Sequence, residues 1–262
     1  MKIISDLRIL SNNWQLLAVI TMRELKVRYK QSILGVGWAI LQPLSLMFIF
    51  TLVFSKFAKV PSQGVPYPIF AFSALLPWMF LATSLSFAVP SVINNSDLIT
   101  KVHFPNEVFP IASVLAALVD FGVGMVIFMG MMFFYGIKIT PQIIWFIPIL
   151  LIQFVLIFGI ALFVSAFGVK YRDIKYATSL LLQLWLYATP VAYPLGVVPE
   201  SYQWIFRLNP MVPIIENYRK VLLFGASPDF KAIITVFIFS LILISVAYIY
   251  FKKSEREFAD II

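Results

Sequence analysis

The chain has 262 residues, of which 61% are apolar and 12% charged, against about 45–50% and about 25% in soluble domains. Several uncharged runs reach the ~20 residues a spanning helix needs, which excludes a soluble globular domain and indicates an integral membrane protein. The net charge of +8 is a topology signal, because basic residues mark the cytoplasmic side, and not a nucleic-acid footprint; the absence of cysteine excludes disulfide and thiol chemistry.

Residues 1–32 form a cytoplasmic interface segment. Asp6, Arg8 and the Ser11-Asn12-Asn13 break interrupt any early apolar core, which argues against a signal peptide. From Trp14 to Tyr29, the residues Trp14, Leu17, Ala18, Met22, Leu25 and Tyr29 recur at helical spacing, with Arg23, Lys26 and Lys30 on another side. That is the pattern of a helix lying in the headgroup plane. A joint with two glycines, Ser32 to Gly37, turns this helix into the first span, about Ile33 to Phe54. The second span runs from about Ile69 to Ile93 and carries Pro77 and Pro90, which are expected to kink it. The polar loop from Asn94 to Asn106 follows. The third span, about Val108 to Tyr135, carries Asp120, the only acidic residue deep inside a span. The fourth runs from about Ile143 to Val169, and the basic loop Lys170 to Lys175 leads to a fifth from about Tyr176 to Tyr193.

Residues 194–229 differ. Pro194, Pro199, Pro210, Pro213 and Pro228 bound two short amphipathic pieces, about Glu200 to Leu208 and about Pro213 to Phe224. Both are too short to span and too apolar for plain loops, so they are expected as re-entrant or interfacial half-helices. Glu216 and Lys220 are placed to pair at i,i+4. The sixth span runs from about Ala232 to Phe251, followed by a charged cytoplasmic tail; residues 230–262 hold both. The expected fold is therefore all-α, with spans 1–5 in residues 33–193 and six spans in one domain covering residues 1–262. An even number puts both termini on one side. The basic residues of the termini and of the loops around Lys101 and Lys170 make that side cytoplasmic.

Catalysis has little to work with. His103 is the single histidine, the spans hold no pair of carboxylates, and no phosphate loop or metal-ligand cluster is present in the sequence. Asp120 is expected as a proton or cation site, as one partner of a helix–helix hydrogen bond, or as a carboxylate near a water-filled passage. The chain is therefore expected to be a passage or scaffold that borrows its energy. Trp38, Trp78, Trp185, Tyr187 and Tyr193 lie on proline- or glycine-marked spans near polar residues. They are candidates to line a passage for sugars, the alternative being an ordinary lipid-facing belt.

Three stretches resemble a known family. Arg28-Tyr29-Lys30-Gln31-Ser32 with Leu34-Gly35, Trp38 and Gln42-Pro43 is similar to the N-terminal signature of the permease subunit of type-2 ABC exporters for polysaccharides. Asn95 to Ile99 with Lys101-Val102-His103-Phe104-Pro105 resembles that family's first cytoplasmic loop. Tyr171-Arg172-Asp173-Ile174, Pro190 to Pro194, Val198-Pro199 and Leu208-Asn209-Pro210 resemble its last third. The likeness covers nearly the whole chain in order, and the Arg-Tyr-Lys-x-Ser form followed by Gln-Pro is most similar to the O-antigen and teichoic-acid branch.

The resemblance implies a transmembrane subunit that pairs with a second copy of itself and with two ATPase subunits. ATP and Mg are held by those partners, and this chain holds no cofactor. The substrate is an undecaprenyl-pyrophosphate-linked polysaccharide of O-antigen type, moved across the bacterial inner membrane. Asp97, Leu98, Ile99, Lys101, Val102, His103, Phe104 and Pro105 would form the ATPase-coupling element, with Lys170 to Lys175 as a second contact. Arg23, Lys26, Arg28, Tyr29, Lys30, Leu34 and Gly35 would form an inner gate and lipid entrance, with the basic groups meeting an anionic headgroup or serving topology alone. Trp204, Phe206, Asn209, Pro210, Glu216 and Arg219 would belong to an outer gate. Rival readings are a related exporter of teichoic acid, capsule, lipid or drug, a membrane-embedded transferase, and a non-transporting scaffold.

Overall fold

The structure is a computed structural model and describes residues 14–30, 32–35, 37–101 and 105–261. Its described residues form helices and connecting turns, without strands. Helix α1, Trp14–Tyr29, precedes α2, Gly37–Phe50, which continues as a π-helical stretch, Thr51–Phe57. Then come α3, Tyr67–Ser91, the short α4, Ser96–Lys101, and α5, Val108–Phe134. A 3-10 turn, Pro141–Trp145, opens α6, Phe146–Lys170, and α7 spans Ile174–Tyr187. Two half-helices, α8, Glu200–Leu208, and α9, Met211–Leu222, precede the long α10, Phe230–Ile261.

Helix α3 is the hub. Ile69, Phe70, Ala71 and Phe72 are consecutive and all fully buried, so this helix has no lipid face in its first half. It packs against α2, α5, α6, α7 and α9. The sequence permits this because α3 is apolar all round, with small residues at Ala71, Ala74 and Ala88 where neighbours come close. Pro77 and Pro90 lie inside it, and the helix runs through both as one element. The buried Gln153 of α6 donates to the Pro77 carbonyl at 2.7 Å and accepts from the Tyr218 hydroxyl of α9 at 2.9 Å. That places a three-helix polar contact in the middle of an apolar core, with the amide's donor and acceptor both used.

Among the described residues, five helices are long and apolar enough to cross a membrane: Gly37–Phe57, Tyr67–Ser91, Val108–Phe134, Pro141–Lys170 and Phe230–Phe258. The element expected as a fifth span is shorter, since α7 has 14 residues and rises only about 21 Å. Its crossing is completed by a non-helical turn. Gly168, near the end of α6, lies so close to Val89 that an added Cβ would meet the Val89 carbonyl oxygen at 2.7 Å. At the other end of α3, the Tyr67 hydroxyl donates to the Ala192 carbonyl at 2.6 Å. The stretch from Ile174 to Ala192 therefore covers the depth of α3. Pro190 and Pro194 explain why its last part is not helix, because each removes a donor and neither fits a helix interior without cost.

Helix α10 has 32 residues and rises about 48 Å, well beyond a hydrocarbon core of about 30 Å. The expected charged tail is thus a continuation of the last span. Phe251 and Phe258 are both fully buried, and their cluster includes Val92, Leu162, Ala166 and, at its edge, Ile99.

Candidate functional site

The joint between α1 and α2 is held from both sides. Leu16, Leu17 and Ile20 of α1 pack on Val108, Phe109 and Ala112 of α5, while Trp14, Met22 and Val27 remain exposed. The apolar stripe expected on α1 is thus divided, with Leu17 inward, Trp14 and Met22 outward, and Ile20 as the buried anchor. An Arg23 amino group donates to the Asn95 side-chain oxygen, and the Asn95 amide in turn donates to the Ser91 carbonyl at 2.7 Å. This ties α1 to the end of α3.

At the other end of α1, Arg28 turns into the bundle. Its Nη1 lies 2.9 Å from Asp120 Oδ2, and its Nη2 donates to the Ser113 carbonyl at 3.2 Å. Its guanidinium sits 3.7 Å from the centre of the Phe87 ring. The Tyr29 hydroxyl donates to Asp120 Oδ1 at 2.6 Å. The Arg28 side chain is 4% exposed and that of Asp120 is 19%. Burial lowers the Arg28 pKa below the ordinary guanidinium value, and the neighbouring Asp120 opposes that shift. The Tyr29 phenol is pushed up by burial, by its hydrogen bond to Asp120 and by that carboxylate's charge. Of the three readings of Asp120, the geometry shows the interhelical hydrogen bond, with two residues of the N-terminal signature as partners, and Asp120 also lines the cavity beside them.

A cavity of about 340 Å³ opens beside this pair, lined by Arg28, Tyr29, Trp38, Gln42, Thr83 and Asp120 among others. Polar groups thus meet apolar walls where the interface helix turns into the first span. Gly35 makes that corner with φ of +51°, a backbone state that costs a side-chain-bearing residue about 1–2 kcal/mol. The turn is closed by the Gly37 amide donating to the Leu34 carbonyl at 2.8 Å. Lys26 and Lys30 are exposed, and Leu34 is 49% exposed.

The stretch expected to be the coupling element lies at the same end. In α4, Asp97 is exposed while Leu98 and Ile99 pack toward α1 and α5. Lys101 closes the helix, and Pro105 is half-buried where the chain turns toward α5. Val102, His103 and Phe104 lie outside the described residues. Behind this element is an ion-pair network with no obvious signal in the sequence. Lys252 of α10 lies 2.8 Å from Glu107 and 2.9 Å from Glu255, and a Glu255 oxygen accepts from the Asn106 amide at 3.2 Å. The Glu107 side chain is 1% exposed, and burial raises its pKa against the lowering effect of the Lys252 hydrogen bond. Lys170 pairs with Glu257 at 2.7 Å, while Arg172 and Lys175 of the same basic loop are exposed.

At the opposite end, the proline-bounded hairpin α8–α9 is clasped to the end of α7. The Asn209 side chain accepts from Trp185 Nε1 at 2.9 Å and donates to Thr189 Oγ1 at 2.8 Å. Arg219 is fully buried. It donates to the carbonyls of Pro190 at 2.9 Å and Val191 at 2.8 Å, reaches Glu216 at 3.2 Å, and sits 3.8 Å from the centre of the Phe70 ring. The pairing expected between Glu216 and Lys220 is thus replaced by Glu216 with Arg219. The physical reason is that Arg219 reaches inward to the carbonyls freed where α7 ends, and Glu216 neutralises a buried charge there. Tyr193 donates to the Tyr187 carbonyl at 2.8 Å and meets Phe206 edge-on. Trp204 is 62% exposed, and Pro210 starts α9 as its N-cap.

The candidate passage aromatics separate into two groups. Trp78 is 4% exposed and meets Trp185 edge-on at 5.8 Å, inside the bundle. Trp38 and Tyr187 are exposed, on α2 and α7. The residues that sequence reasoning missed are Ser113, Gln153, Tyr218, Glu107 and Lys252. Only Gln153 and Glu107 carry a visible hint, as polar residues within or beside long apolar runs.

The ABC-2 type transporter family matches residues 15–223, which takes in α1, the joint, the latch at Asp120 and both half-helices. The chain belongs to the ABC-2 type transporter family. Its relatives include the O-antigen export system permease protein RfbA of Klebsiella pneumoniae, 32% identical over 95% of both chains, and that of Myxococcus xanthus, 32% identical over 94% of both. The polysialic acid transport protein KpsM of Escherichia coli is 22% identical over 90% of this chain and 92% of its own. An ABC-2 permease of this kind is a multi-pass transporter subunit and not an enzyme.

Proposed function

We propose that this chain is the channel-forming subunit of an ATP-driven exporter of undecaprenyl-pyrophosphate-linked polysaccharide of O-antigen type. The observation that carries this is the 32% identity to O-antigen export permeases over 95% of both chains. The lower identity to the polysialic acid transport protein favours the O-antigen reading over the capsule one. In this reading two copies face each other across the passage, and two ATPase subunits dock at the end that carries α4. That end is cytoplasmic, as are both termini, and the membrane is the bacterial inner membrane.

The structure supports this division of labour. Exposed apolar residues of α2 and α7, among them Trp38, Ile49, Leu181 and Tyr187, form faces with no protein neighbour in one copy, as a passage between two copies requires. Trp38 and Tyr187 are the aromatics left to meet a sugar chain, and Trp78 backs Trp185. The 340 Å³ cavity at Arg28 and Gln42 marks the lipid entrance at the inner gate. The half-helices, clasped by Asn209 and Arg219, close the outer end.

The test is reconstitution of the chain with its ATPase in vesicles carrying labelled lipid-linked glycan. ATP-dependent appearance of label on the far side is the expected result. Transport of ordinary phospholipid alone, with the glycan left behind, would reject the substrate assignment while leaving the family intact.

A further inference from the structure

We propose that a second cavity, between α8, α9 and the start of α10, binds the phosphate group of a membrane lipid in the outer leaflet. The site rests on the reading above only for the side of the membrane it faces; the binding itself follows from the side chains. The cavity holds about 440 Å³, and three cations line it from three different elements: Arg207 in the last turn of α8, Lys220 in α9 and Lys231 at the start of α10. Its two carboxylates are already engaged. Glu216 pairs with the buried Arg219 at 3.2 Å, and Asp229 accepts from the Ala232 amide at 3.1 Å as a cap for α10. The Asp229 backbone amide is itself fixed, donating to Asn217 at 2.6 Å. Among the described residues, no ion pair or side-chain hydrogen bond engages Arg207, Lys220 or Lys231.

Glu216 is offset by Arg219 while Asp229 keeps its charge, so three cations against one remaining carboxylate leave the lining net positive, which favours an anion bound among them. A phosphate oxygen cluster fits, since Arg presents a planar fork and Lys a point charge to it. The surroundings assign the phosphate to a lipid. Val212, Pro213 and Val236 give the cavity apolar walls. Along α10, Lys231 is followed at i+3, i+7 and i+11 by Ile234, Ile238 and Ile242, which are 54%, 52% and 60% exposed. A cation at the head of an exposed apolar stripe on one helix face matches a headgroup above its acyl chains. In the proposed topology these cations also lie on the outer side, where the positive-inside bias offers no reason for them.

The experiment is native mass spectrometry of the purified full chain in detergent with dioleoyl phosphatidylglycerol, the matching diacylglycerol without phosphate, and inorganic phosphate as competitor. Phosphatidylglycerol is expected to bind and diacylglycerol not to. The triple variant Arg207→Gln, Lys220→Gln, Lys231→Gln should lower phosphatidylglycerol affinity tenfold or more. Lys56→Gln, an exposed cation outside the cavity, should leave it unchanged. The charge-conserving pair Lys220→Arg, Lys231→Arg should retain binding, which separates lost charge from lost fold. Wild-type affinity in the triple variant, an equal loss in Lys56→Gln, or displacement by inorganic phosphate at the same concentration as the lipid would each overturn the proposal. Topology is read separately. The chain has no native cysteine, so Lys220→Cys can be labelled with a membrane-impermeant maleimide in intact cells. Labelling only after the cells are opened would overturn the outer-side placement while leaving the binding result standing.

Discussion

Removing the Asp120 carboxylate should destabilise the bundle by unpairing Arg28, and the structure gives the size of the effect. At 2.9 Å, with an effective dielectric constant of about 20, the attraction between the two charges is about 6 kcal/mol. Much of that offsets the cost of holding a guanidinium that is 4% exposed away from water. Breaking such a pair by deleting one member costs about 3–5 kcal/mol. Asp120→Ala leaves Arg28 with the Ser113 carbonyl and the Phe87 ring and leaves the Tyr29 hydroxyl without its acceptor. Asp120→Asn keeps an acceptor for Tyr29 and loses the charge, so its cost is smaller, about 1–3 kcal/mol. Arg28→Met with Asp120→Leu removes both charges at similar volume and should return most of the stability. The assay is unfolding in detergent followed by tryptophan fluorescence, for the wild type, these three variants and the single changes Arg28→Met and Asp120→Leu. A wild-type midpoint for Asp120→Ala, or a double variant as unstable as the two single changes added together, would refute the latch. Export then separates two roles. Transport that stays lost in the stable double variant assigns Arg28 to the transported molecule as well as to the latch.

Three further outcomes follow from the geometry. Arg219→Ala should cost about 3–5 kcal/mol, because the Pro190 and Val191 carbonyls and Glu216 lose their donor. Arg219→Lys should recover little of it, since one ammonium cannot reproduce the fork; both are read from the same unfolding curves. Gly35→Val should uncouple ATP hydrolysis from export without loss of membrane insertion, because the left-handed corner resists a β-branched residue while no heavy atom within 4 Å opposes the new Cβ; normal export at wild-type ATPase rate would remove Gly35 from the gate. Burial raises the folded-state pKa of Glu107 above the ordinary glutamate value, so the folded state holds its proton more tightly than the unfolded one. Its contribution is therefore most favourable below about pH 4.5 and is lost as pH rises through the folded value. Glu107→Gln should flatten the melting temperature between pH 4.5 and neutral, and an unchanged slope would count against it.

Most of the fold was legible because membrane helices are long and uncharged. The boundaries of α3, α5 and α6 lie within about three residues of the apolar runs, and α8 matches its proline-bounded piece. Three features were not legible, for physical reasons. Helix α7 stops at Tyr187 because Arg219 and Asn209, distant in sequence, take over the carbonyls and side chains at its end, and hydropathy does not register such partners. Helix α10 continues past Phe251 because Phe258 finds a buried place and Lys252 finds Glu107, neither of which is local information. Of the candidate site, the joint was visible as composition, since two glycines follow a basic helix. That Arg28 points inward was not, because an arginine on an amphipathic helix reads as surface until its carboxylate partner is located 92 residues away.

The two buried arginines have a common design, and its placement bears on how the subunit moves. Each guanidinium sits over a phenylalanine of α3, Phe87 for Arg28 and Phe70 for Arg219. Each also donates to at least one backbone carbonyl and to one carboxylate. The rings are 17 positions apart (87 minus 70) on one continuous helix, a rise of about 26 Å, which approaches the thickness of the hydrocarbon core. One clamp therefore lies toward each face of the membrane. They hold α1, at the end that carries α4, and the α8–α9 hairpin at the opposite end. Because both clamps close on one continuous helix, a shift of α1 relative to the hairpin requires movement of the bundle or release of a clamp. Releasing either clamp exposes an unpaired charge, so the resting state resists opening at both ends. In the proposed exporter, energy delivered through α4 would then be needed to move the bundle as a unit, the behaviour a sugar-wide passage requires if it is not to leak ions between transport cycles.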